Sequence, residues 1–424
     1  MVIAPPGQEG WLRQRRRRGG GSSTTVEFFE HEQPPRPLAL LASTPPGQEG
    51  QYVIALNTLD IDWRVLVKSF VIFLLLLLAC SPLMLSQQRV PEIPFDSVPN
   101  FFKLPADLYF GEVGGVAVNS KGHVFVFSRG NVTGPAYGAT AAQLLEFGPD
   151  GKYLREIGHN LYAWSYAHTV RIDGNDNIWA VDKGSDMIIK FNPEGRVEMV
   201  FGRKKEASDE TAVPWSKVTP PRPPVDGQFR QPTDVTWDRQ GNIFISDGYI
   251  NSRVAKFDKN GDWVKSFGEP GNKTGQFDTP HSIAADAAGN IYVADRGNFR
   301  IQVFDPDGKF LRAMKLDVPV PPDAKPWMGP VPNDETVGSQ HPGSPWAVCI
   351  TPGPNQFLYA ADAFPGRIYK MTLDGKILGV LGKAGKQPKQ FGWIHEIACP
   401  SENELYVAEI VNWRVQKLIL HPAK

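Results

Sequence analysis

The feature that most limits how this chain can fold is a unit that recurs along it: a short apolar strand, a Gly or Asn turn, a strand of β-branched and aromatic residues, then a strand ending in a turn. Two plain copies are TDVTWDRQGNIFISDGYINSRVAKFDKNGDWVKSFG from Thr233 and HSIAADAAGNIYVADRGNFRIQVFDPDGKFLRAMK from His281, and each holds four strands. Laying six copies over one another puts the anchors of the first strands at Gly114, His168, Thr233, His281, Trp346 and His395, spaced by 54, 65, 48, 65 and 49 residues. Two positions past each anchor stand Val116, Val170, Val235, Ile283, Val348 and Ile397, all β-branched, as a buried inner strand requires. In the first five copies the turn after the third strand reads GPDG, NPEG, DKNG, DPDG and TLDG, with Gly where φ must be positive.

Six four-stranded units at this period predict an all-β, six-bladed propeller around a central channel. The last copy ends RVQKLILHPAK, which supplies a third strand and no fourth. Residues 101–104 are expected to supply the missing strand, because an open ring leaves long unpaired edges.

Ahead of the repeats, residues 1–62 carry RQRRRRGGG, PPRP and two copies of PPGQEG without apolar periodicity, and read as disordered. Residues 63–86, WRVLVKSFVIFLLLLLACSPLMLS, read as a signal or membrane-anchor segment. Cleavage, lipidation at Cys80 and retention as an anchor are all compatible with it. Its basic residues precede the apolar run, so the repeats are expected to be exported to a periplasmic or extracellular face, with membrane contact only through this segment. Residues 87–100 then read as a linker and 101–420 as the propeller.

Lys+Arg and Asp+Glu each number 45, so no global field favours nucleic acid. The three cysteines, Cys80, Cys349 and Cys399, make no disulfide framework and no CxxC knuckle. Cys349 and Cys399, on the first strands of neighbouring blades, read as buried thiols.

Three anchors are histidines, and they fall in alternate blades: His168, His281 and His395. Alternate blades of a sixfold ring lie about 120° apart, so the three imidazoles should converge on the axis with a fourth position open, the arrangement of a catalytic zinc. Histidines packed at the channel rim are the alternative. The repeated acids Asp182, Asp247, Asp295 and Asp362 read as turn caps, since a reaction needs a unique constellation and these recur.

The histidine triplet, together with DGYINSR from Asp247 and VADRGNFRIQVF from Val293, resembles the peptidyl-α-hydroxyglycine α-amidating lyase family, whose members are NHL-repeat six-bladed propellers. The resemblance covers roughly residues 101–420. It implies zinc held by His168, His281 and His395, Tyr249 as catalytic base, and Arg129 and Arg296 as substrate-binding arginines. It also implies a structural calcium held by the main-chain carbonyls of Val116 and Val170 and by a carboxylate at Glu396, where the family has Asp. Trp393 stands where the family has Met. The implied reaction splits a peptidyl-α-hydroxyglycine-like carbinolamide into an amide and glyoxylate. A phenol ionises near pH 10, so a base role for Tyr249 requires cations beside it.

The substrate expected is a small molecule or peptide, and the chain is expected to be a monomer. Two other readings stay open. A non-catalytic propeller docking a protein or cell-surface ligand needs no metal. A calcium-dependent lactonase-type hydrolase wants carboxylates and amides at the pore, where this chain offers imidazoles.

Overall fold

The computed structural model describes residues 90–130, 142–204, 223–331 and 340–421. The expectations for residues 1–62 and 63–86, Cys80 included, lie outside the described residues. Among the described residues no helix is long and apolar enough to cross a membrane.

An opening strand β1 (Phe95–Ser97) precedes blade one, formed by β2 (Val113–Val118), β3 (Val124–Ser128), β4 (Gln143–Phe147) and β5 (Tyr153–Ile157). Blade two is β6 (Ala167–Ile172), β7 (Ile178–Asp182), β8 (Met187–Phe191) and β9 (Val197–Gly202). Blade three is β10 (Asp234–Trp237), β11 (Ile243–Asp247), β12 (Arg253–Phe257) and β13 (Trp263–Phe267). Blade four is β14 (Pro280–Ala285), β15 (Ile291–Asp295), β16 (Arg300–Phe304) and β17 (Phe310–Met314). Blade five is β18 (Ala347–Ile350), β19 (Leu358–Ala361), β20 (Ile368–Met371) and β21 (Ile377–Leu381). A two-stranded parallel pair, β22 (Lys383–Ala384) and β23 (Gln390–Phe391), leads into blade six, β24 (Ile394–Ser401), β25 (Glu404–Glu409) and β26 (Arg414–Leu420).

Each blade is an antiparallel meander, and the first strands β2, β6, β10, β14, β18 and β24 pack on one another in that order and back to β2. The chain is a six-bladed β-propeller. Val116, Val170, Val235, Ile283, Val348 and Ile397 are all 0% exposed, as inner-strand residues should be. The five turn glycines Gly151, Gly195, Gly261, Gly308 and Gly375 all have positive φ. Apolar cores fill the spaces between blades: Phe127 of blade one packs on Trp164, which packs in turn on Phe191 of blade two.

Two expectations are corrected. The fourth strand of blade six is β1, whose Phe95, Asp96 and Ser97 pair with Leu420, Ile419 and Leu418 of β26. Residues 101–104 serve blade one instead. The Lys103 amide donates to the Gly151 carbonyl at 2.8 Å, and the rings of Phe101 and Phe102 pack against Tyr406, Phe110 and Phe147. That apolar pair is therefore packing material beside the outer turn of blade one. Phe95, by contrast, stacks on Phe391, and Ser97 Oγ reaches Gln416 at 2.7 Å, fixing β1 on blade six.

The second correction is that Cys349 and Cys399 form a disulfide, with Cα atoms 6.1 Å apart. Successive residues of a strand face opposite sides of the sheet. The cysteines are 50 residues apart while their blades' anchors are 49 apart, so they differ by one register position. One therefore faces forward and the other back, and both enter the core between blades five and six.

Candidate functional site

Strand pairing skips the anchor in four blades, at Gly114 in blade one and at the three histidines. Ala167 pairs with Asp182 and Thr169 with Val181, leaving His168 out of register. The same break isolates His281 between Pro280 and Ser282, and His395 between Ile394 and Glu396. A β-bulge re-aims the side chain of its extra residue. Here it turns three imidazoles toward one another, with ring centroids 4.4 to 4.8 Å apart.

Each imidazole is held by the anchor carbonyl of the next blade. His168 Nδ1 donates to the Thr233 carbonyl at 2.6 Å, His281 Nδ1 to Trp346 at 2.6 Å, and His395 Nδ1 to Gly114 at 2.7 Å. A carbonyl can only accept, so the proton sits on Nδ1 and each Nε2 keeps its lone pair. Burial pushes all three rings well below the ordinary histidine range, with the neighbouring cationic and imidazole groups adding to it. Three neutral donors result, with ligand atoms all within 4.8 Å of one another. This donor set could hold one metal ion and leave a coordination position open.

Tyr249 stands beside the triplet. Its hydroxyl lies 3.1 Å from His281 Nε2 and 3.4 Å from His168 Nε2. The loop that carries it is pinned by buried Asp247, which accepts from the Arg230 amide, Asn251 and Arg253. Gly248 is required there, because a Cβ on it would fall 2.1 Å from the Pro280 carbonyl oxygen.

The same blade position supplies the surrounding charge. Buried Asp182 accepts from the Ser165, Tyr166 and Ser185 amides and precedes Lys183; buried Asp295 accepts from the Asp278 amide, Asn298 and Arg300 and precedes Arg296. Asp362 caps its own turn through Gly366, Arg367 and Tyr369. The repeated acids are thus turn caps, as expected, and each one fixes the residue that comes after it.

Lys183 Nζ lies 3.6 Å from the centre of the Tyr249 ring, and Arg296 Nη1 is 3.5 Å from the Tyr249 hydroxyl. Arg129 is one step removed. Its guanidinium stacks 3.8 Å above the Tyr166 ring, which Lys183 approaches from 5.5 Å, and it bonds Glu112 and the Ala167 carbonyl. In blades five and six the equivalent residues are Ala363 and Ile410, which pack with Trp346, Trp393 and Val411. The rim is therefore cationic over blades one, two and four and apolar over blades five and six.

Sequence reasoning passed over Lys183 as a site residue, although it occupies the repeat position of Arg129 and Arg296. Burial, and then those two arginines, push its ammonium down to about 7.

The calcium expectation meets a different arrangement. Glu396 Oε2 accepts from the amides of Val116 and Val170 at 2.8 and 3.1 Å, and its Oε1 lies 3.0 Å from Arg171 Nε. Backbone N–H groups and a guanidinium repel a divalent cation, so this neighbourhood does not fit one.

Fold and site together define a six-bladed propeller with three histidines meeting between its inner strands. An NHL repeat is matched over residues 277–304. The chain is 30% identical to "Peptidylglycine alpha-amidating monooxygenase" of Rattus norvegicus over 241 residues, 51% of this chain and 22% of that protein. It is 30% identical over 214 residues to "Probable peptidyl-alpha-hydroxyglycine alpha-amidating lyase pgal-1" of Caenorhabditis elegans, 46% of this chain and 55% of that one. It is also 31% identical over 213 residues to "NHL repeat-containing protein 3" of Mus musculus, 47% of this chain and 53% of that one. The chain spans between about a fifth and a little over half of these relatives. The resemblance to the amidating-lyase family is borne out by relatives that carry the name.

Proposed function

We propose that the chain is a zinc-dependent carbon–nitrogen lyase that cleaves a peptidyl-α-hydroxyglycine-like carbinolamide to an amide and glyoxylate. The observation that carries this is the convergence of His168, His281 and His395, each with Nδ1 tied to a carbonyl. Zinc bound there would supply Lewis acidity toward the substrate hydroxyl. The relatives named as amidating lyases support the same reading.

Every other part of the reaction falls to the chain's own groups. Tyr249 takes the hydroxyl proton, with Lys183 Nζ 3.6 Å from the centre of its ring and Arg296 Nη1 3.5 Å from its oxygen. The hydroxyl oxygen then forms the aldehyde C=O as the C–N bond breaks. The bonding pair leaves with the amide nitrogen, which takes back the proton, so no further reactant is required. The cationic side of the rim holds the glyoxylate carboxylate, a match for guanidinium and ammonium donors. The apolar side, with Trp346 and Trp393, receives the remainder of the substrate.

The Cys349–Cys399 disulfide supports a workplace outside the cytoplasm, where such bonds persist. A second reading is a propeller that binds a ligand without chemistry, since one relative is named for its NHL repeats alone. Incubating the zinc-loaded protein with an α-hydroxyglycine-ended peptide and following glyoxylate separates them. Turnover is expected; a folded, zinc-bound protein that releases none would overturn the lyase reading.

A further inference from the structure

The family resemblance implies a calcium ion in the channel, and the residues around Glu396 do not suit one. What stands there is Arg171, one residue past Val170 on β6. Its Nε and Nη2 grip Asp234 Oδ1 and Oδ2 at 2.9 and 2.6 Å, a bidentate pair. Nη2 also reaches Ser282 Oγ at 3.3 Å and the Val348 carbonyl at 3.2 Å, and Nη1 reaches the Ile397 carbonyl at 3.3 Å. Glu396 faces the same guanidinium through Oε1.

These partners come from every blade. Arg171 is in blade two, Asp234 in three, Ser282 in four, Val348 in five, and Glu396 with Ile397 in six. Blade one joins through the Val116 amide on Glu396 Oε2. Gly115 makes that approach feasible, since a Cβ on it would fall 2.8 Å from Glu396 Oε2 and 2.6 Å from the Val170 nitrogen.

We infer that the Arg171 guanidinium takes the place of a structural calcium as the cation that ties the six inner strands together. A calcium ion collects carboxylate and carbonyl oxygens from several strands onto one positive centre. Arg171 collects the same oxygen types, the Asp234 carboxylate, two carbonyls and a hydroxyl, through its own N–H groups, with Glu396 Oε1 3.0 Å from its Nε. Asp234 and Glu396 are fully buried, and the bidentate Asp234 carboxylate offsets the cost of burying the guanidinium. The extra methylene of Glu over the family's Asp lets the carboxylate reach the amides of blades one and two. A fixed side chain replaces a dissociable ion, so the ring should be indifferent to calcium.

The test is calcium binding and calcium-dependent melting of the full chain, independent of zinc content and turnover. With millimolar calcium added, calorimetry should show no binding heat and the melting temperature should not move. One calcium per chain, or a clear rise in melting temperature, overturns the inference. Arg171→Ala leaves buried Asp234 without its cation and the channel beside Glu396 unfilled, and should melt on the order of 10 °C lower. An Arg171→Ala chain that melts like the parent also overturns it. Should that variant fail to fold, the calcium titration of the parent chain decides.

Discussion

His168 and Thr233 occupy the same repeat position in neighbouring blades, and the Nδ1–H of the first donates to the carbonyl of the second at 2.6 Å. His281 with Trp346 and His395 with Gly114 repeat this relationship. The anchors of the three blades without histidine thus set the tautomer of the three that have one. The histidines supply lone pairs, and their neighbours supply the carbonyls that free those lone pairs for a ligand.

Tyr249→Phe removes the hydroxyl that takes the proton and leaves the ring under Lys183. Glyoxylate formation should fall by roughly 10²- to 10⁴-fold while metal content and melting temperature hold. Steady-state kinetics beside metal analysis checks this. An unchanged kcat would remove Tyr249 from the reaction.

Lys183→Met should separate stability from activity. The ammonium of Lys183 is pushed down to about 7 in the folded chain, against about 10 when unfolded. Between those values the unfolded chain holds a proton that the folded chain lacks, so stability from this group rises from pH 7 toward pH 10 and is lowest below pH 7. Lys183→Met is expected to be more stable than the parent at pH 6, with the difference shrinking by pH 9. It should also raise KM for a carboxylate-bearing substrate. Urea melts at the two pH values give the first comparison and initial rates the second.

The Cys349–Cys399 bond closes a loop of 50 residues between blades five and six. Replacing both cysteines by serine should cost about 2–4 kcal/mol, seen as a lower urea midpoint. A double variant with the parent's midpoint would mean that the bond adds nothing to the fold.

The repeat made much of this molecule legible. Inner-strand valines and isoleucines, turn glycines and alternate-blade histidines all sit at fixed offsets from one another, and such offsets survive translation from sequence to ring. What did not survive was anything that depended on a one-residue slip. The bulges that turn His168, His281 and His395 inward leave no mark in composition. The cysteine pair was missed because a spacing of 50 against an anchor spacing of 49 looks like no relationship, although it puts the two side chains on facing sheets. Ring closure went to residues 95–97 because the apolar Phe101 and Phe102 were already committed to packing. At Glu396 the resemblance carried the carboxylate forward but not the Arg171 that faces it.

Whether three histidines from alternate blades hold one metal ion decides the rest. Metal analysis of the protein expressed with zinc, beside His281→Ala treated identically, tests it most directly. About one zinc per chain is expected for the parent and almost none for His281→Ala, with the β-rich circular dichroism of the two alike. A parent chain that carries no zinc, or a His281→Ala chain that keeps it, would contradict the assignment of the triplet as a metal site.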